Sequence, residues 1–149
     1  METGEFLSEL KDGHTRIEDV FKKLRILVED DDKHDVRAVF ESLKDLRDLL
    51  VEHIRNEDEL FYPALRRRAI ELEQEALLPA LDLFSESMHD VTRKVSEFFE
   101  EYKRNKDVLK DIEGFKADLI DIIEVVEKRI RSEEGSLFYI YRAYFPEKE

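Results

Sequence analysis

The sequence has 149 residues, of which 42% are hydrophobic, and this length and composition predict a single domain with its own core over residues 1–149. Its formal net charge of −13 at pH 7 would repel nucleic acid and anionic membrane surfaces, so we expect neither as a partner and expect cations instead. The chain contains no Cys, which excludes disulfides and leaves His and carboxylates to hold any metal ion.

The sequence contains no run of about eighteen apolar residues, the length that a membrane-spanning helix needs. The first residues also lack the basic and apolar regions of a signal peptide. We therefore expect a cytoplasmic protein without a membrane span. Only four Gly and three Pro interrupt the chain, so long helices are the predicted elements.

The first predicted helix runs from about Phe6 to about Val28, where apolar residues recur at steps of three and four. His14 lies within this apolar seam and not on the polar face. The acidic run over residues 29–35 is expected to end the helix as a solvated loop.

The second predicted helix runs from about Asp35 to about Arg68, and Pro63 is expected to kink its last turns. Two ionisable residues, His53 and Glu57, lie four positions apart within its seam and therefore on one face. A buried imidazole and a buried carboxylate are costly unless they are paired, and a metal ion commonly pairs with both. The predicted seam comprises Val39, Leu43, Leu46, Leu50, His53, Glu57, Leu60 and Ala64.

The third predicted helix follows Pro79, which suits a lead-in turn or a first helical turn, and it carries His89 on the face of Ser85 and Thr92. The fourth runs from about Ile112 to about Tyr141. Ionisable residues again interrupt its seam. They are Arg129 and Glu133, with Ile140 as the last apolar member.

Four amphipathic helices with short connections predict an all-α fold, an antiparallel up-down-up-down four-helix bundle. The two halves also repeat, because His14 and His53 are separated by about as many residues as His89 and Arg129. In each half, a Glu follows four residues after the second partner. The helical rise of about 1.5 Å per residue then places polar groups of all four helices at one height in the bundle.

These features together resemble the hemerythrin family, in its hemerythrin-like or HHE cation-binding branch. The shared pattern is an inward His on the first helix, His-x-x-x-Glu followed by Leu-Phe-Tyr-Pro on the second, an inward His on the third, and an acidic pair before Leu-Phe-Tyr on the fourth. The resemblance spans about Asp12 to Tyr141. It implies a four-helix bundle that holds a non-haem di-iron centre, in which histidines bind the irons and two carboxylates bridge them.

The resemblance also implies a role for individual residues. His14 and His53 would bind one iron and His89 would serve the other. Glu57 and Glu133 would bridge the two ions. The expected cofactor is iron, as one or two ions, with zinc or another divalent ion as a substitute.

Two positions depart from the family pattern. Ser85 stands where the third helix often has a second His, and Arg129 replaces the His of the fourth helix. An arginine stays protonated and has no lone pair for a metal, so we predict a weakened or lost second site. Its guanidinium can stand in the place of the second cation and pair with Glu133 or Glu57. If the helix is locally rewound, Glu134 becomes the inward group.

Three functions remain open at this point. The favoured function is a non-haem iron protein that binds dioxygen, senses oxygen or iron, or stores a metal without turnover. The second is a di-iron oxidoreductase, because carboxylate-bridged iron can activate dioxygen. The third is a metal-free interaction domain in which Arg129 replaces the metal as counter-charge.

Overall fold

The computed structural model describes residues 3–29 and 36–144, and the regular structure within them is entirely helical. The all-α class is therefore confirmed for this part of the chain, while the up-down-up-down order of four helices stays a prediction. Most of the expected acidic loop lies outside the described residues. The α-helices are α1 (Thr3–Glu29), α2 (Val36–Asn56), α3 (Tyr62–Glu71), α4 (Leu78–Glu101), α5 (Asn105–Lys110), α6 (Ile112–Ser132) and α7 (Phe138–Tyr144).

Two five-residue π-helical turns interrupt the second and fourth predicted helices. One spans Glu57–Phe61 between α2 and α3, and the other spans Glu133–Leu137 between α6 and α7. Pro63 lies in the first turn of α3, where a proline is tolerated, so the break expected there takes the form of the preceding π turn. A short 3₁₀ turn at Glu75–Leu77 leads into α4.

The helices pack through the faces that their apolar seams predict. α1 contacts α2 and α6, and α4 contacts α3 and α6. In α1 the described seam positions Leu10, His14, Ile17, Phe21 and Leu24 are all buried, as predicted. Among the described residues, no helix combines the length and the apolar character needed to cross a bilayer.

The seam after each π turn is shifted by one residue from the prediction. Leu60, predicted to be inside, is 53% exposed, whereas Phe61 and Leu65 are buried. The π turn contains one more residue than an α turn, so the following side chains rotate away from their expected faces. In the fourth predicted helix, Tyr141 is likewise buried while Ile140 is only partly buried.

The core consists of two apolar clusters. The larger one includes Ile17, Ile54 and Ile130, and the smaller one includes Leu10 and Phe61. Along α1 and along α2 with its π turn, a buried polar residue lies between a member of one cluster and a member of the other. A polar layer therefore separates the two halves of the core.

Candidate metal centre

Four buried side chains from three parts of the chain form the polar layer. They are His14 on α1, His53 on α2, and the two residues that begin the π turns, Glu57 and Glu133. Their exposed fractions are 1%, 7%, 0% and 1%, in that order. Each offers one nitrogen or oxygen atom, and these four atoms all lie within 4.8 Å of one another. We call these four residues the metal cluster.

The two imidazole rings and two carboxylates of the metal cluster point at one another. The Nε2 atom of His14 lies 3.8 Å from Oε1 of Glu57 and 3.6 Å from Oε2 of Glu133. The Nε2 atom of His53 contacts Oε1 of Glu57, and the His14 and His53 ring centroids are 4.5 Å apart. Ligands held about 2.0–2.2 Å from one ion lie about 3–4 Å from each other, so the distances from His14 to the two carboxylates suit a shared metal.

Several buried nitrogen and oxygen atoms of the metal cluster face one another but form no hydrogen bond of normal geometry within the described part of the chain. A buried polar atom without a partner costs about 1–3 kcal/mol, so a group of them at one point is unfavourable unless something else binds there. A cation would satisfy all of them at once, because each is a lone-pair donor. The atoms are Nε2 of His14, Nε2 of His53, Oε1 and Oε2 of Glu57, and Oε2 of Glu133.

Both carboxylates of the metal cluster occupy the same position in the backbone. Glu57 and Glu133 are the first residues of the two π turns, and each is preceded four residues earlier by a buried side chain, His53 and Arg129. π turns are rare and occur often at functional sites. The two halves of the sequence repeat therefore converge on one layer with the same backbone irregularity.

His14 is fixed from its outer side. Its Nδ1 atom lies 3.1 Å from Oε1 of Glu134, and its ring stacks on Phe138 with centroids 5.5 Å apart and planes 5° from parallel. A carboxylate at Nδ1 favours the tautomer whose Nε2 lone pair is free, the arrangement common for metal-binding histidines. The sequence suggested Glu134 only as a replacement for Glu133, whereas both reach His14.

The pKa values of the cluster reflect crowded charges. Burial acts to lower the pKa of His14, but the carboxylates of Glu133, Glu57 and Glu134 outweigh it and raise this pKa to about 10. Burial and the negative charge of Glu57 raise the pKa of Glu133. Burial opposes ionisation of Glu57, yet His14 and His53 hold its pKa below the usual range. The chain alone thus retains protons here that a bound cation would displace.

Arg129 lies beside the metal cluster and is only 6% exposed. Its Nε donates to Oε1 of Glu133 at 3.1 Å, and its Nη2 donates to the carbonyl oxygen of Phe84 at 2.9 Å. The same Nη2 donates to the hydroxyl of Tyr62, and the guanidinium carbon lies 5.2 Å from the Phe84 ring centroid. Arg129 therefore pairs with Glu133, one of the two partners that the sequence suggested. No sequence pattern indicates the buried Tyr62 contact.

The structure does not bring His89 into the metal cluster. His89 is exposed on α4, where Met88 and Val91 are buried, and Ser85 is only partly buried. The predicted seam of α4 includes Met88 and Val95, which are buried, but His89 lies beside that seam and faces outward. Four of the five predicted ligands converge, and His89 lies outside them.

The comparison with protein families identifies a family for this chain. A family model described as the hemerythrin HHE cation-binding domain matches residues 5–141. Comparisons with curated proteins and with solved structures give no match. The matched span contains all four residues of the metal cluster and Arg129.

Proposed function

The chain belongs to the hemerythrin HHE cation-binding family, and on that premise we propose that it is a non-haem iron protein that binds or senses dioxygen or iron without turnover. The observation that carries the proposal is the convergence of buried, unpartnered donor atoms in the metal cluster. His14, His53, Glu57 and Glu133 would hold the ion, and iron held there would supply the capacity to bind dioxygen.

The donor set favours iron among the divalent metals. Two imidazoles with carboxylates and open coordination positions are typical of non-haem Fe(II) sites, while the same donors also accept zinc. The absence of Cys from the sequence removes the thiolate ligands that would favour a closed structural zinc site. Glu134 would orient His14 through Nδ1, and Phe138 would hold the ring plane.

Arg129 supports a site with one ion and not two. Oε2 of Glu133 faces His14 in the metal cluster, while Oε1, the oxygen that would be left to hold a second ion, accepts a hydrogen bond from Arg129. Arg129 cannot give up its proton to become a ligand, and a divalent cation beside a buried guanidinium would be strongly repelled. We therefore expect Arg129 to supply the positive charge that a second metal ion would otherwise bring to the two carboxylates.

The test is the metal content of the protein and of two matched histidine variants. Protein purified without chelator from iron-supplemented medium should carry about one iron per chain by elemental mass spectrometry. His53→Ala should lose the metal because it removes a ligand, whereas His89→Ala should retain it because His89 lies outside the metal cluster. Purified protein that contains no metal and takes up none on reconstitution would instead favour the metal-free interaction domain.

A further inference from the structure

A surface cleft of about 330 Å³ lies between α1 and α2, directly beside the metal cluster. Of the four cluster residues, His53 alone lines this cleft. His53 is also the most exposed of the four, although it is still more than nine-tenths buried, and its Nε2 contacts the Glu57 carboxylate within the metal cluster. The cleft is therefore the side on which the cluster comes closest to solvent.

Gly13 makes this proximity possible. A Cβ atom at position 13 would lie 2.9 Å from Nδ1 of His53, closer than such contacts normally allow. A glycine in the interior of a helix costs about 1 kcal/mol relative to alanine, so its place in α1 needs a reason. The reason here is the space that the His53 ring occupies at the inner end of the cleft.

The charges that line the cleft are predominantly negative. Glu9, Asp12 and Glu52 are exposed at its walls, against the single cation Arg16. A cleft lined by one sign of charge concentrates ions of the opposite sign and raises their rate of association. These carboxylates therefore make the cleft attractive to cations, and the cleft ends at the imidazole of His53.

A second, larger cleft of about 530 Å³ between α2 and α4 provides a contrast. None of the four cluster residues lines it, and its charges balance. They are the cations Arg47, Arg55 and Lys103 and the acids Asp58, Glu59 and Glu100. Neither its position nor its charge suits the delivery of a cation to the metal cluster.

We propose that the cleft between α1 and α2 is the access route of the metal ion, with Glu9, Asp12 and Glu52 attracting a divalent cation and His53 receiving it as the first ligand. The inference rests on the proposed metal-binding function. It assigns a kinetic role to surface carboxylates that lie outside the metal cluster.

The experiment measures how fast the chelator-treated full chain takes up Co²⁺, whose visible absorption changes on binding, by stopped-flow mixing. The cleft variant is Glu9→Gln/Asp12→Asn/Glu52→Gln. The control variant, Glu97→Gln/Glu101→Gln/Glu113→Gln, neutralises the same number of exposed carboxylates. Glu97 and Glu101 lie about 20 Å or more along α4 from Phe84, whose carbonyl contacts Arg129. Arg16→Gln provides a variant of opposite sign.

We expect the cleft variant to take up Co²⁺ about tenfold more slowly at low salt, with unchanged final stoichiometry, and the control variant to change by less than about twofold. Arg16→Gln should accelerate uptake, and added salt should shrink all differences because it screens the exposed charges. Equal slowing in both triple variants, or unchanged rates, would overturn the access route alone. A wild-type chain that takes up no Co²⁺ would overturn both the route and the metal-binding proposal.

Discussion

Arg129 and His53 occupy equivalent positions in the two halves of the chain, each four residues before a carboxylate that begins a π turn. The first half thus offers a lone pair where the second offers a fixed positive charge. The buried guanidinium is held by Glu133, Phe84 and Tyr62. If the polar layer binds metal as proposed, this difference between Arg129 and His53 would set how many cations it accepts.

Replacing Arg129 tests whether its charge limits the number of bound metal ions. Arg129→His removes the fixed charge and adds an imidazole four residues before Glu133, so bound metal should rise from one ion to two per chain at saturation. Native mass spectrometry gives the count directly. Arg131→His is the matched control, because Arg131 is exposed on the same helix, and it should leave the count at one. Two ions in the wild-type chain, or one in the Arg129 variant, would contradict the charge-substitution hypothesis.

Residue types and spacing are sufficient to place His14, His53, Glu57 and Glu133 inward, because each continues a series of steps of three and four through buried apolar residues. In α4 the same steps pass through the buried Met88, and His89 follows it directly. Apolar residues occupy adjacent positions there, as at Phe98 and Phe99, so spacing alone leaves the rotation of the helix uncertain by about one residue, or about 100°. This uncertainty is why the spacing predicts an inward His89, and only packing against α6 and α3 resolves it.

The π turns matter at the scale of whole elements, because each changes the register of everything after it. Glu57 and Phe61, four positions apart, are both buried, whereas the predicted seam continued three positions after Glu57, at Leu60. The extra residue in the first turn, Leu60, is exposed. Sequence periodicity assumes about 3.6 residues per turn throughout, so it predicts the seam correctly up to Glu57 and one residue out of register beyond it.

Deleting Leu60 tests whether the first π turn is needed for metal binding. Deletion of Leu60 should convert the π turn to ordinary α-helix while Phe61 and Leu65 keep an inward face, because the shortened spacing again follows steps of three and four. We expect thermal stability without metal to be maintained or raised, and affinity for Co²⁺ to fall at least tenfold because the Glu57 carboxylate is reoriented.

The matched control for that deletion is removal of Val51, another exposed apolar residue, which lies in α2 ahead of the site. That deletion rotates His53 and Glu57 by about 100° out of the core, so the chain should lose stability as well as metal. Circular dichroism with thermal melting separates the two outcomes. Unchanged Co²⁺ affinity after deletion of Leu60 would show that the π turn does not serve the metal cluster.

The protonation of the polar layer is a property of the whole molecule, since it sets how stability depends on pH. The pKa of His14 is raised from 6.5 to about 10 and that of Glu133 is raised above its ordinary value. The folded chain therefore holds more protons than the unfolded chain at neutral and mildly alkaline pH. Stability without metal must then fall as pH rises through this range. The lowered pKa of Glu57 acts only in acid, where its contribution to stability is lost.

Thermal melting in the presence of a chelator checks this sign. We expect the melting temperature to fall between about pH 6 and pH 9 by roughly 2–5 °C per pH unit for each extra proton that the folded chain holds. His14→Gln should reduce the dependence, leaving the part that Glu133 contributes, and His89→Ala should preserve all of it. Metal-loaded protein should show the opposite trend, since the ion competes with those protons. A melting temperature that rises with pH in the chelated wild type would refute the argument.

At the same scale, composition and periodicity are sufficient to predict the all-α class, because long amphipathic segments with few Gly and Pro have few alternatives. They are sufficient to predict a polar layer too, since Glu57 and Glu133 interrupt otherwise apolar seams. They are insufficient for the contacts of Tyr62 and Glu134, which depend on how the two π turns face each other across the bundle.

The polar layer also affects how firmly the two ends of the bundle are held together. It separates a large apolar cluster from a small one that contains Phe61 and Leu137, so few apolar contacts cross the boundary between them. An ion bonded to α1, α2 and the second π turn would cross-link the two blocks. Without it, the end formed by α3 and α7 rests on the smaller cluster alone and would open first. Binding of the ion would then change the order of one end of the molecule, and a partner that contacts this end could distinguish the metal-bound chain from the metal-free chain.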